Sequence, residues 1–131
     1  MPSTIDDVAA IAMSLPEAEA GERHGSRTWF VNKKAFAWER GFTKADLRRF
    51  GEANVTPPDG PIVAVRTADL AEKEGVLASG EPGFFTMTHF DGYPAFLIQL
   101  KKVRKRALRE AITDAWLATA PTRLTDAFAA P

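Results

Sequence analysis

Cysteine is missing from all 131 residues, which removes disulfides, thiolate metal sites and cysteine nucleophiles together. Net charge is missing too, since seventeen basic residues balance seventeen acidic ones. A strongly basic total would point to nucleic acid at once. Here any electrostatic footprint has to come from local clustering. No run approaches about 18 apolar residues, and Asp6 and Asp7 stand where a secretory leader would be basic and then apolar. A cytoplasmic, soluble monomer with no membrane contact is expected. Ser3, Ser14, Ser26 and Ser79 sit in no Gly-x-Ser-x-Gly context. Gly80-Glu81-Pro82-Gly83 lacks the lysine and the following helix of a phosphate loop. The protein is expected not to be an enzyme, and to need no cofactor and no metal.

What is present is ordinary for a globular chain, 45% hydrophobic and 26% charged. The length suits one domain over residues 1–131, with roughly two-thirds of the unfolded surface buried. Ile5, Val8, Ile11, Ala12 and Leu15 share a helical face, so a helix is expected over residues 4–14, and the polar stretch from Glu17 to Ser26 reads as a loop. Arg27–Val31 and Lys34–Glu39 read as strands joined by Asn32-Lys33. In that register Trp29, Val31, Phe36 and Trp38 share the core face, leaving Phe30, Ala35 and Ala37 on an open one.

Thr43 and Asp46 resemble a capping box that opens a short helix anchored by Leu47 and Phe50. Ile62–Arg66 is a strand, and Thr67 is expected to cap a helix carrying Leu70, Ala71 and Leu77. Phe84–Phe90 and Ala95–Leu100 read as a second hairpin turning at Asp91-Gly92. A last helix over residues 104–119 buries Leu108, Ala111, Ile112, Ala115 and Trp116, and the tail beyond Leu124 is expected to fray. Hairpins alternating with helices make the fold class α+β, an antiparallel β-sheet with helices packed on one face.

Several pieces of this chain resemble, in order, the MmcQ/YjbR family of small bacterial proteins. They are Leu15-Pro16-Glu17, Trp29-Phe30-Val31 with Lys34-Ala35-Phe36, His89-Phe90-Asp91-Gly92-Tyr93-Pro94, and Ala115-Trp116 with Ala120-Pro121 and Leu124. The resemblance implies the α+β fold of the bacterial frataxin CyaY, a double-wing motif, and a DNA-binding label that follows that shape. Frataxin-type iron binding does not carry over, because Asp6 and Asp7 make no dense acidic ridge.

The strongest charge feature is Lys101, Lys102, Arg104, Lys105 and Arg106, with Arg109 one turn on. These cations repel one another and oppose the helix dipole, a strain that a polyanion would relieve. A second set is Lys33, Lys34 and Arg40, with Lys44, Arg48 and Arg49 on the short helix. DNA held by its phosphates is the reading these clusters suggest, and a solvated charged surface is the alternative. Phe30 on the open sheet face offers a stacking platform or a docking surface for a protein partner. His24, His89, Asp91 and Tyr93 form a polar set suited to a small molecule or metal; the plainer reading is that each serves its own turn.

Overall fold

Thr4 opens α1 (Ile5–Met13) with a reciprocal capping box in which Asp7 closes back on the Thr4 amide. The computed structural model describes residues 2–129. Six strands form one antiparallel sheet: β1 (Glu19–Arg23), β2 (Ser26–Val31), β3 (Lys34–Glu39), β4 (Ile62–Arg66), β5 (Phe84–Phe85) and β6 (Ala95–Gln99). Their spatial order is β1-β2-β3-β4-β6-β5. The other helices are α2 (Lys44–Glu52), α3 (Leu70–Ala78), α4 (Lys105–Thr119) and α5 (Thr122–Ala129), with one 3-10 turn over Thr88–Phe90. The α+β class and the antiparallel sheet are as the sequence implies.

The main core lies between one sheet face and α1 and α4. Val8 and Ala12 of α1 meet Trp29, Val31, Phe36, Val63, Val65, Phe96 and Ile98 from the sheet, and Leu108, Ile112, Ala115 and Trp116 from α4. Trp116 is fully buried, and its indole N–H donates to the Pro16 carbonyl at 3.0 Å. The tail is ordered through α5, where Leu124 joins this core and Phe128 packs on Trp116. The fraying expected beyond Leu124 does not occur within the described residues.

Four further expectations are corrected by the structure. Glu19–Arg23 is not loop but an edge strand, exposed along its whole length, so no apolar alternation marks it. His24 and Gly25, with φ of 53° and 77°, form the two-residue turn that returns it to β2. The β2–β3 pair turns at Asn32-Lys33 as expected, but a bulge between Trp29 and Phe30 shifts the register. Trp29 faces Ala37, not Phe36. Phe36 and Ala37 both enter the main core, and Trp38 is thrown to the opposite face. The second hairpin does not turn at Asp91-Gly92: β5 ends after Phe85, and residues 86–94 wrap back over the sheet before β6 begins. Asp69, not Thr67, caps α3; Leu70 is exposed there and Lys73 is buried instead.

The second sheet face is therefore partly covered. Ile62, Ala64, Ala95 and Leu97 pack there against Met87 and Phe90 of the 86–94 segment, with Phe42, Phe50 and Phe85 at the margin. Two polar anchors hold this cover down. Lys73, 6% exposed, donates to the Phe90 and Tyr93 carbonyls at 2.5 and 2.8 Å. Desolvation lowers its pKa, with the nearby Asp91 charge opposing. Asp46, 3% exposed, is the N3 member of the α2 capping box and accepts Arg40 at 3.0 Å. Leu47, expected as an α2 anchor, is 46% exposed, and the buried position next to it belongs to Asp46.

Burial alone would raise the Asp46 pKa, but the Thr43 hydrogen bonds and the Arg40 charge outweigh it and hold the carboxyl below its ordinary value. A depressed folded-state pKa stabilises above the unfolded value and is lost as pH falls through the folded one. Asp46→Ala is expected to cost about 3 kcal/mol in urea unfolding at neutral pH. It should also flatten the stability loss of the wild type below about pH 4. An unchanged acid limb would show that Asp46 is not one of its sources.

Candidate functional site

The uncovered part of the second face is a cleft of about 440 Å³. The bulge that displaces Trp38 makes its floor: Trp38 stands opposite Thr28, with Ala35 beside them. Tyr93, from the wrapped segment, closes one wall and stands edge-on to Trp38 at 6.5 Å between ring centres. The β1–β2 turn brings Arg23, His24 and Ser26 to the other wall, and Arg40, Gly41 and Thr43 form an end. A second hollow of about 300 Å³ shares Trp38, Arg40 and Tyr93 with it and is bounded by His89 and Phe90.

Three arginines line the cleft, and they differ. Arg40 is committed: it pairs with Asp46, donates to the Gly41 carbonyl and rides 5.7 Å above the Phe90 ring. Arg66, the last residue of β4, donates its Nε to the Ala35 carbonyl at 3.1 Å and lies 5.5 Å over the Tyr93 ring. Among the described residues no carboxylate comes within 4 Å of its guanidinium. Arg23 stands at the rim, likewise without an ion pair. The carboxylate on the lining is Glu39. Arg66 also borders a separate hollow of about 310 Å³ that Glu72, Glu81, Glu110 and Asp114 make acidic. Burial, then Glu72 and Glu110, raise the Asp114 pKa there.

The structure unites part of the polar set named from sequence. His24 and Tyr93 line one cleft, and His89 lies in the adjoining hollow, 6.1 Å from the Phe90 ring. Asp91 does not join them; it borders another depression with Lys73 and Gly92. No group of three His, Asp or Glu side chains among the described residues is placed to hold a metal. Sequence reasoning missed Arg23, Trp38 and Arg66 as site residues. Arg66 was findable, as the polar end of Ile62–Arg66, where period-two alternation puts it on the face of Ile62 and Ala64.

The twelve cations named from sequence do not gather into one strip. Lys33 and Lys34 lie at the β2–β3 turn, beside the end of the sheet where β4 finishes and β6 begins. Lys101 to Arg106 follow β6 at the other end, a strand length of about 15–20 Å away. Arg48 and Arg49 ride on α2 over the second face, while Arg109 belongs to α4 on the first. Five are paired: Arg40 and Arg49 with Asp46, Lys101 with Asp59, Arg104 with Glu81 through two bonds of 2.8 Å, and Arg106 with Glu110. Lys33, Lys34, Lys44, Arg48, Lys102, Lys105 and Arg109 have no ion pair among the described residues. Phe30 is half-buried, its ring lying over Gly21 of the unforeseen β1, so it is not a bare stacking platform.

Fold and cleft define an α+β protein with a six-stranded antiparallel sheet, α1 and α4 on one face, and a second face, not left bare of helix as the sequence suggests, that α2 and the 86–94 segment partly cover and that holds arginines and aromatic rings. The chain is similar to proteins of mycobacteria: uncharacterized proteins Rv2570 and MT2646 of Mycobacterium tuberculosis and Mb2600 of Mycobacterium bovis. Each is 44% identical over 129 residues, covering 98% of this chain and 97% of the relative. The chain belongs to the family of these mycobacterial proteins. No protein-family model matches it, and no solved structure does. No helix among the described residues is long and apolar enough to cross a membrane.

The His24 position separates turn geometry from binding. Asn takes its positive φ more readily, so His24→Asn should raise stability by about 0.5 kcal/mol in thermal unfolding. A loss of stability instead would reveal a contact of the imidazole that the turn does not account for.

Proposed function

We propose that the protein is a non-enzymatic binding module whose cleft holds a small organic anion with a flat apolar part. The observation that carries this reading is Arg66, half-buried between the Tyr93 ring and the Ala35 carbonyl, with no carboxylate partner among the described residues. A guanidinium withdrawn from water and left with free N–H groups is matched by a carboxylate or phosphate that accepts two of them. Trp38 and Tyr93 supply the apolar surface for the rest of the ligand, and the Ser26 and Thr43 hydroxyls supply orienting groups. The cleft volume lies within the range of small-molecule sites.

NMR titration with phenyl phosphate, benzoate and their uncharged analogues tests the reading. The charged probes should shift Trp38, Arg66 and Tyr93 signals, and Arg66→Ala should weaken binding by about ten- to a hundredfold, as loss of a charged hydrogen bond implies. Shifts from neutral and charged probes alike, or none at millimolar concentration, would overturn it.

A second reading, DNA held through its phosphates, rests on the resemblance to MmcQ/YjbR proteins and on Lys102, Lys105 and Arg109, exposed cations near the start of α4 without carboxylate partners. With three contacts the affinity for duplex DNA should fall with salt at a logarithmic slope of about −3. No binding at micromolar protein in low salt would dispose of it.

A further inference from the structure

β1 is an edge strand made of Glu19, Ala20, Gly21, Glu22 and Arg23, and among the described residues no strand pairs with its outer side. Such an edge is a template for another strand, which most proteins block with charge, proline or a covering loop. This one carries charge, but in a self-complementary order. We propose that β1 pairs antiparallel with β1 of a second copy about a two-fold axis at Gly21, joining two six-stranded sheets into one. The inference is independent of the ligand reading.

The register follows from the hairpin. With a two-residue loop, Arg23 and Ser26 form the hydrogen-bonded pair that closes it, so Glu19, Gly21 and Arg23 turn their backbone groups towards β2. Ala20 and Glu22 turn theirs outward. Centring the axis on Gly21 sets Ala20 of each copy opposite Glu22 of the other, where both exchange N–H and C=O bonds. Gly21 then meets Gly21 at the close, non-hydrogen-bonded spacing, where it presents no side chain. Glu19 of each copy meets Arg23 of the other, also at that close spacing, where opposite charges interact best.

Neighbouring registers are worse. A shift one way sets Glu22 against Glu22; a shift the other way leaves Glu19 opposite Gly21 with no cation. The axis stands perpendicular to the sheet, so both clefts open on the same side, with Glu19 of the second copy beside the rim residue Arg23. A five-residue ladder with no large apolar side chain buries less than a standard interface. The dimer is accordingly a reversible one, governed by concentration.

Sedimentation velocity on the full chain, from about 10 μM to about 1 mM in low salt, tests this. The wild type should pass from one-chain to two-chain mass across that range. Glu19→Arg should raise the dimer dissociation constant at least tenfold, and Glu19→Arg combined with Arg23→Glu should restore it to within about threefold. Ala20→Pro removes an outward N–H while sparing the bonds to β2, and should also abolish the two-chain species. One-chain mass throughout, or a dimer that neither Glu19→Arg nor Ala20→Pro weakens, overturns the proposal.

Discussion

Burying the Asp46 carboxylate costs several kcal/mol in desolvation, and the fold offsets that cost with donors from both sides of one turn. The Thr43 and Asp46 backbone and side chains close the α2 capping box, while Arg40 supplies the counter-charge. The consequence reaches beyond the helix. Arg40, fixed by Asp46, lies over Phe90, and Phe90 is the plug of the second hydrophobic cluster. Lys73 grips the same segment from the α3 side through the Phe90 and Tyr93 carbonyls. Two buried charged groups thus hold a nine-residue connection against a sheet face, a task that apolar contacts from so short a segment would perform with less positional definition.

That arrangement explains why a cleft exists at all. If β5 had run on to an Asp91-Gly92 turn, Tyr93 would have sat at a hairpin tip in solvent. Because the strand stops at Phe85, Tyr93 instead becomes a wall standing over Trp38. The bulge at Trp29/Phe30 does the complementary work. One extra residue in β3 sends Trp38 to the second face and draws Ala37 into the core. Cleft wall and cleft floor both come from departures from regular pairing, which is where functional surfaces of sheets tend to lie.

The same departures mark the limit of what the residues reveal unaided. α1, α2, β4 and the buried face of α4 were legible because caps and apolar periodicity agree there, from Thr4 and Thr43 to Leu108, Ile112 and Trp116. β1 was not, since a solvent-exposed edge strand needs no apolar alternation, and its five residues are held mainly by the ladder to β2. The bulge was illegible because Phe36 and Ala37 satisfy the two-residue period equally well in either register. Lys73 and Asp46 defeated the apolar pattern on their helices by being buried with their hydrogen bonds satisfied. Of the polar set, His24, His89 and Tyr93 were within reach of sequence. Arg66 and Trp38 required knowledge of which way a strand faces.

Zero net charge acquires a specific meaning in this architecture. Some carboxylates each stand against a named cation: Asp46, Asp59, Glu81 and Glu110 do so, and Glu17 does the same for Arg123 on α5. Exposed pairs of this kind add little stability, but they remove cations from the set free to meet an anion. What remains is a short list, and its members are not equivalent. Lys102, Lys105 and Arg109 are exposed, where solvent ions screen their charge. Arg66 is half-withdrawn from water beside the Tyr93 ring, where screening is weaker, and among the described residues no carboxylate pairs with it. The half-buried member of that list therefore lies in the cleft, not along the basic run that dominates the sequence.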